Sequence, residues 1–221
     1  MTAVCVLCAA AYMTAQPKEL SGRIHIPLWA HLEAYPGVEE DVYSETAPFA
    51  YPVSRLRRTA PFIIEGMVYG WRFAYAPYDR ARGTEEYFEL EPVRSIAPEA
   101  AGITYSKPWI EGSRLYCWVD FVPDPYTEKA RGQWASGGYP KIHGRGAGSL
   151  FDGFDGIAAA CRNAAKDAVR EYMRTIEKNK PQEITGTLLL TGSPQFGVES
   201  GRYMAVLDFF LDVDTIKKYR Y

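Results

Sequence analysis

The chain is predicted to be α+β, a mainly antiparallel β-sheet with one long amphipathic helix (about 152–178) packed on it, followed by two C-terminal strands. Three observations carry that prediction. Segments such as RIHIPLWAHL and RLYCWVDF alternate apolar and polar residues, the period-2 pattern of strands with one buried face. DGIAAACRNAAKDAVREYMRTI instead repeats its apolar residues at three and four, the period of a helix with one buried stripe. Beyond it, EITGTLLLTG and RYMAVLDFFLDV return to strand composition.

Taken in order, MTAVCVLCAAAYMTA opens with an apolar run from Ala3 to Tyr12 and then small residues, resembling the apolar core and cleavage zone of a secretory signal peptide. The basic residues that open such peptides are missing, so 1–15 reads as a signal-peptide remnant. Ten apolar residues are too few to span a bilayer, and no transmembrane span is expected. The first strand is Arg23–Leu32, placed at an edge by Pro27, which has no amide hydrogen to give a ladder. Residues 33–61 hold four prolines and few regular patterns, and are expected as a long excursion. FIIEGMVYGWRFAYAPYD is expected as the longest strand, with Gly66 and Gly70 admitting a helix or a ring close to its backbone. EYFELEPV, ITYS and RLYCWVDFVP continue the pattern, making 16–122 a β-rich region. A Gly/Pro-rich connection follows over 123–148, where Asp124 caps a turn of helix with Pro125 first. The helix and two strands fill 149–221, which can form one domain with 16–122. SPQFGVES is expected as an exposed tip, and DTIKKYRY as a helical turn or tail.

Composition excludes some functions. With 221 residues, 47% hydrophobic and 24% charged, the chain can bury a sizeable core. A formal charge of -2 gives no field to hold a polyanion, so nucleic acid is not expected. With the signal-like opening and its Cys5 and Cys8 set aside, the spacing shows no CxxC or HxxxH, and His25 and His31 on one strand face would sit about 20 Å apart; no metal and no cofactor is expected. Cys117 and Cys161 lie in apolar surroundings and read as buried free thiols.

HGRGAGS before the helix raises the question of a phosphate loop. A dinucleotide loop needs GxGxxG, but Ser149 and Phe151 stand where the third glycine is required; nor does a Lys-Ser or Lys-Thr pair follow, as a P-loop demands. The glycines are therefore expected to turn the backbone into the helix, with Ser149 and Asp152 forming a capping-box-like entry. Along the helix, Arg162, Lys166, Arg170, Arg174 and Lys178 recur every fourth residue. With Asp167, Glu171 and Glu177 interleaved they read first as a solvated face, and secondarily as a surface for an acidic partner or lipid headgroups.

This glycine-rich entry, alanine-rich helix and strand pair, Lys141 to Val213, resembles small bacterial envelope lipoproteins and the N-terminal domain of flagellar outer-ring assembly proteins. The resemblance covers a third of the chain. It implies a structural or interaction role in the envelope and no catalytic residues.

Two function classes follow. The first is an exported bacterial envelope protein, in the periplasm or at the outer surface, with a non-enzymatic structural or partner-binding role. Its partner is another envelope protein or a membrane-surface component, and its candidate binding residues are the loop-borne Trp109 and Trp134 with Arg162, Lys166 and Arg170. The alternative is a carbohydrate-directed envelope hydrolase. It would draw an acid and a base from Glu65 in a strand, Glu89 and Asp120, because glycoside hydrolysis needs paired carboxylates. A cleft uniting two of those carboxylates would favour the enzyme, and a flat aromatic patch would favour binding.

Overall fold

The computed structural model describes residues 22–35, 49–97 and 102–219. Its elements are β1 (Ile24–His31), α1 (Ala50–Val68), β2 (Trp71–Ala76), β3 (Tyr87–Pro92), β4 (Ile103–Glu111), β5 (Arg114–Phe121), α2 (Pro125–Ser136), β6 (Lys141–Ser149), α3 (Gly153–Ile176), β7 (Glu183–Glu199) and β8 (Arg202–Lys217). The protein is α+β, with antiparallel strands in two sheets, ordered β1-β5-β4 and β3-β2-β7-β8-β6. The long helix and the two C-terminal strands lie where the sequence places them. The segment expected as a signal-peptide remnant, 1–15, lies outside the described residues.

The first correction is α1. It runs through the end of the expected excursion and the start of the expected longest strand, so Glu65 sits on a helix. Leu56, Ala60, Ile63, Ile64 and Met67 recur at three and four residues, but Pro61 interrupts the run and made two pieces of one period. An interior proline costs a helix one backbone hydrogen bond. Burial offsets that cost, because α1 packs on β1 and β5 on one side and on β7 and α3 on the other, and Ala60, Ile63 and Ile64 are fully buried. Fully burying such an aliphatic side chain contributes roughly 1.5–3 kcal/mol.

Gly66 does admit a ring, as the sequence suggested. A Cβ there would lie 2.6 Å from the Trp71 indole. Gly70 ends the helix at φ +84, where a Cβ would also strike the Leu188 carbonyl.

The supposed irregular connection holds two elements. Asp124 caps α2 as expected, accepting from the Tyr126 and Thr127 amides at 3.0 and 3.1 Å, and Pro125 opens the helix. The helix then continues to Ser136 and docks through buried Arg131. Its Nε donates to the Met67 carbonyl at 2.9 Å, satisfying an acceptor that the last turn of α1 leaves free.

After α2 comes β6, and it changes the reading of the glycines. They do not turn the chain into the helix; they lie within a strand under the helix. A Cβ on Gly144, Gly146 or Gly148 would fall well under 3.0 Å from backbone atoms of Ala164, Ala160 and Gly156 respectively. Small residues on both partners thus let strand and helix approach to backbone contact, with Ala160, Ala164 and Ala168 almost wholly buried. The helix also closes the open edge of β6: Arg145 N–H donates to Asp167 at 3.2 Å, and Asn163 donates to the Ala147 carbonyl at 2.8 Å. Ser149 caps a short 3-10 turn through the Phe151 amide at 3.1 Å, while Asp152 makes no side-chain cap.

The expected exposed tip is instead strand, and β8 continues through Lys217 into the expected C-terminal turn. The β7–β8 hairpin includes SPQFGVES and turns at Ser200 and Gly201, with φ 50 and 71, a two-residue turn whose positive φ values match strand twist. No helix among the described residues is long and apolar enough to cross a membrane.

Candidate functional site

Each sheet strand of the smaller layer sends alternate residues inward and outward. Ile24, Ile26, Leu28 and Ala30 of β1, with Leu115, Cys117 and Val119 of β5, enter the core. The intervening residues lie on the outer face, away from α1, and the register sets them side by side. His25 pairs with Asp120, Trp29 with Tyr116 and His31 with Arg114, while Trp109 of β4 also faces Tyr116. Trp109 is therefore on a strand, just after a bulge between Ser106 and Trp109, and is not loop-borne.

The result is a continuous aromatic row. His25 stacks on Trp118 with centroids 4.2 Å apart and planes 8° off parallel. Trp109 stacks on Tyr116 at 5.1 Å and meets Trp118 at 5.9 Å. The Arg114 guanidinium lies over Trp29 at 4.0 Å, a cation–π contact. In the two stacked pairs each ring gives one face to its neighbour, while Trp109–Trp118 and Trp29–Tyr116 are tilted by 39° and 45°; together they make an apolar, aromatic surface.

Asp120 anchors one end of the row. Its side chain is 3% exposed, with Arg23 Nε 2.8 Å from Oδ1 and His25 Nδ1 2.5 Å from the same oxygen. The Arg23 hydrogen bond, ahead of the His25 one, holds its carboxyl below the usual aspartate range against the opposing effect of burial. That keeps it a charged acceptor.

At the other end, His31 is packed among Trp29, Tyr35 and Tyr203. The tip region of the β7–β8 hairpin reaches this end, where Trp29 Nε1 donates to the Phe196 carbonyl at 3.3 Å.

The other two candidate carboxylates have separate partners. Glu65 is buried in α1 and accepts from the Ile96 amide at 2.6 Å; burial raises its pKa, with that hydrogen bond opposing. Glu89 lies on edge strand β3 and accepts from the Tyr87 hydroxyl at 2.7 Å. Among the described residues no hydrogen bond joins any two of Glu65, Glu89 and Asp120, and no cluster of three or more His, Cys, Asp or Glu forms a metal set.

Trp134 is also not loop-borne: it lies in α2, against Tyr139 at 4.6 Å. Arg162 is exposed on α3. Lys166 pairs with Glu86 at 3.1 Å, and Arg170 with Asp167 at 2.6 Å, so most of the basic ladder is compensated. Cys117 and Cys161 are free and buried; burial pushes Cys117 up to about 11 and Cys161 further, which leaves both thiols inert.

Sequence reasoning missed His25, Trp118 and Arg23 as members of the site. Their alternation was visible, but cross-strand register was not.

The model of an uncharacterised protein family matches residues 11–219. A Treponema pallidum (strain Nichols) protein with the name "Uncharacterized protein" is 31% identical over 196 residues, spanning 89% of this chain and 82% of its own. No solved structure matches.

Proposed function

The chain belongs to that uncharacterised family, and we propose that it is an exported bacterial envelope protein that binds another envelope protein through the outer face of the β1-β5-β4 sheet. One observation carries the reading: a row of rings runs from His25 through Trp118, Trp109 and Tyr116 to Trp29 along one sheet face, half-buried and covered by the β7–β8 hairpin only at its Trp29 end. Protein contact surfaces are enriched in Trp, Tyr and Arg, with a polar rim. Arg23 and His25, with side chains 59% and 50% exposed, supply that rim. Glu65, Glu89 and Asp120 have separate partners, which supports the binding reading over one that pairs these carboxylates. The apolar opening of 1–15 supports export, and the order β6, α3, β7, β8 suits the envelope resemblance drawn from Lys141 to Val213.

The test is photocrosslinking in cells, with p-benzoylphenylalanine replacing Trp109 in the full chain. A discrete adduct with an envelope protein is expected, reduced severalfold by Trp118→Ala and absent when the crosslinker replaces Arg162. An equal adduct from both positions, or none from Trp109, removes the sheet face as a docking surface. Alkaline phosphatase fused after Tyr221 reads location separately, since an inactive fusion rules out export.

A further inference from the structure

A cleft of about 380 Å³ opens where the C-terminal end of α3 meets the end of β2 and the start of β7. Its floor is apolar: Tyr75, Met173 and Ile184 are 3%, 4% and 0% exposed. Its wall is charged. Arg170, Arg174, Lys178 and Lys180 line it against Glu86 and Glu177, an excess of two positive charges (four minus two) on a chain of net charge -2.

The pairings show where that excess lies. Glu86 takes Lys166 at 3.1 Å, and Glu177 takes Lys218 at 3.0 Å, both from outside the lining. Arg170 pairs with Asp167 at 2.6 Å, and Arg174 with Glu171 at 2.7 Å. Lys180 donates to the Tyr78 carbonyl at 2.8 Å, a neutral acceptor, and feels Asp79, which is itself held by Arg82. The surplus therefore rests on Lys178 and Lys180 at the mouth.

The end of a helix carries partial negative charge, so the backbone there cannot attract an anion. Side-chain cations must do so. Beneath them the Tyr75 hydroxyl donates to Glu86 at 3.1 Å; burial first, and then Glu86, push its pKa far up, so it stays neutral.

The geometry points to a binding site for a small amphipathic organic anion. Its apolar body rests on Tyr75, Met173 and Ile184, and its carboxylate, phosphate or sulfonate head meets Lys178 and Lys180. The volume falls within the range of small-molecule sites, which join apolar walls to a few placed polar groups. The site is separate from the aromatic face, so either can fail without the other.

The probe pair is 1-anilinonaphthalene-8-sulfonate and its uncharged relative N-phenyl-1-naphthylamine, titrated fluorometrically into the full chain. The sulfonate is expected to bind one site with affinity that falls as salt rises. Lys178→Gln with Lys180→Gln should weaken it roughly tenfold and leave the uncharged dye unchanged. Both lysines are exposed, so the variant should fold, and a far-UV melt checks that it does. Equal affinities for the two dyes, or no weakening in the double variant, overturn the site. Sedimentation with phosphatidylglycerol–phosphatidylcholine vesicles separates the sources of the anion. Vesicle binding lost in the double variant assigns the head to a lipid, and dye binding without vesicle binding assigns it to a soluble molecule.

Discussion

The contact between β6 and α3 and the outer face of the β1-β5-β4 sheet use side chains of opposite size. In the first, three glycines meet alanines and Gly156, and no side chain separates the two backbones. In the second, His25, Trp109, Tyr116, Trp118 and Trp29 build a layer of rings that the β7–β8 hairpin covers only at the Trp29 end. The glycine–alanine contact is closed to any partner, because it has no space for one, and its tolerance for change is correspondingly small. The ring layer is stabilised by its own stacking, and a partner can rest on it without rearranging it. Stability is concentrated in one region and recognition in the other.

The largest expected effect breaks or sustains that contrast directly. Gly146→Ala places a Cβ against backbone atoms of Ala160 and Ala164, which cannot rotate away as a side chain would. Overpacking of this kind should cost about 3 kcal/mol, or roughly 10 °C of melting temperature for a chain of this size. Trp118→Ala, on a half-buried ring, should cost less, about 2 kcal/mol. Thermal melts of the two variants compare the regions. If Gly146→Ala melts no lower than Trp118→Ala, the helix and strand are not in backbone contact.

The contrast also explains which parts of the fold could be read beforehand. The α3 stripe was legible because Ile157, Cys161, Ala164, Ala165 and Ala168 keep a helical period without interruption. In α1 the same period is cut by Pro61, and its second half, 60–68, is buried on nearly every side because sheets cover both flanks. A helix buried all round loses the one-sided pattern that identifies it, and its second half was read as strand. The glycines of β6 were misplaced for a related reason: a strand that packs through absent side chains carries no apolar alternation. At the candidate site, Trp109 and Asp120 were visible as residue types in alternating segments. The meeting of Asp120 with His25 and Arg23 depends on a register spanning nearly a hundred residues, and that of Trp109 with Trp118 on a bulge in the β4–β5 pair, neither of which a local pattern encodes.

A smaller effect sharpens the comparison at the anchor of the ring layer. Asp120→Asn keeps the shape but loses the charge that Arg23 and His25 meet. Because both partners reach water, the cost near neutral pH should be about 1 kcal/mol. The folded pKa is depressed below the ordinary 3.8. The stability that Asp120 contributes is therefore fully present above that value and is lost as pH falls through the folded one. Urea titrations of wild type and variant should differ at pH 7 and converge as the medium becomes strongly acidic. A constant difference would mean that the charge does not anchor the layer.

An effect absent at neutral pH lies at the seam between the two regions. His31 belongs to β1, yet the Tyr203 ring of β8 packs against it, and its Nε2 has no hydrogen-bond partner. Burial first, then the charge of Arg114, lowers its pKa below the ordinary 6.5. The unfolded chain consequently takes up a proton just below pH 6.5 that the folded chain refuses. Stability from this residue is complete above 6.5 and falls as pH drops beneath it, by at most about 1.4 kcal/mol at pH 5.5. The imidazole proton resonances of His31 should titrate with a midpoint below 6.5, and His31→Gln should flatten the stability change between pH 7.5 and 5.5. A midpoint at or above 6.5 would mean that water reaches the ring. The hairpin would then not seal this end of the aromatic row, and the separation between a closed region and an open one would extend along the whole sheet face.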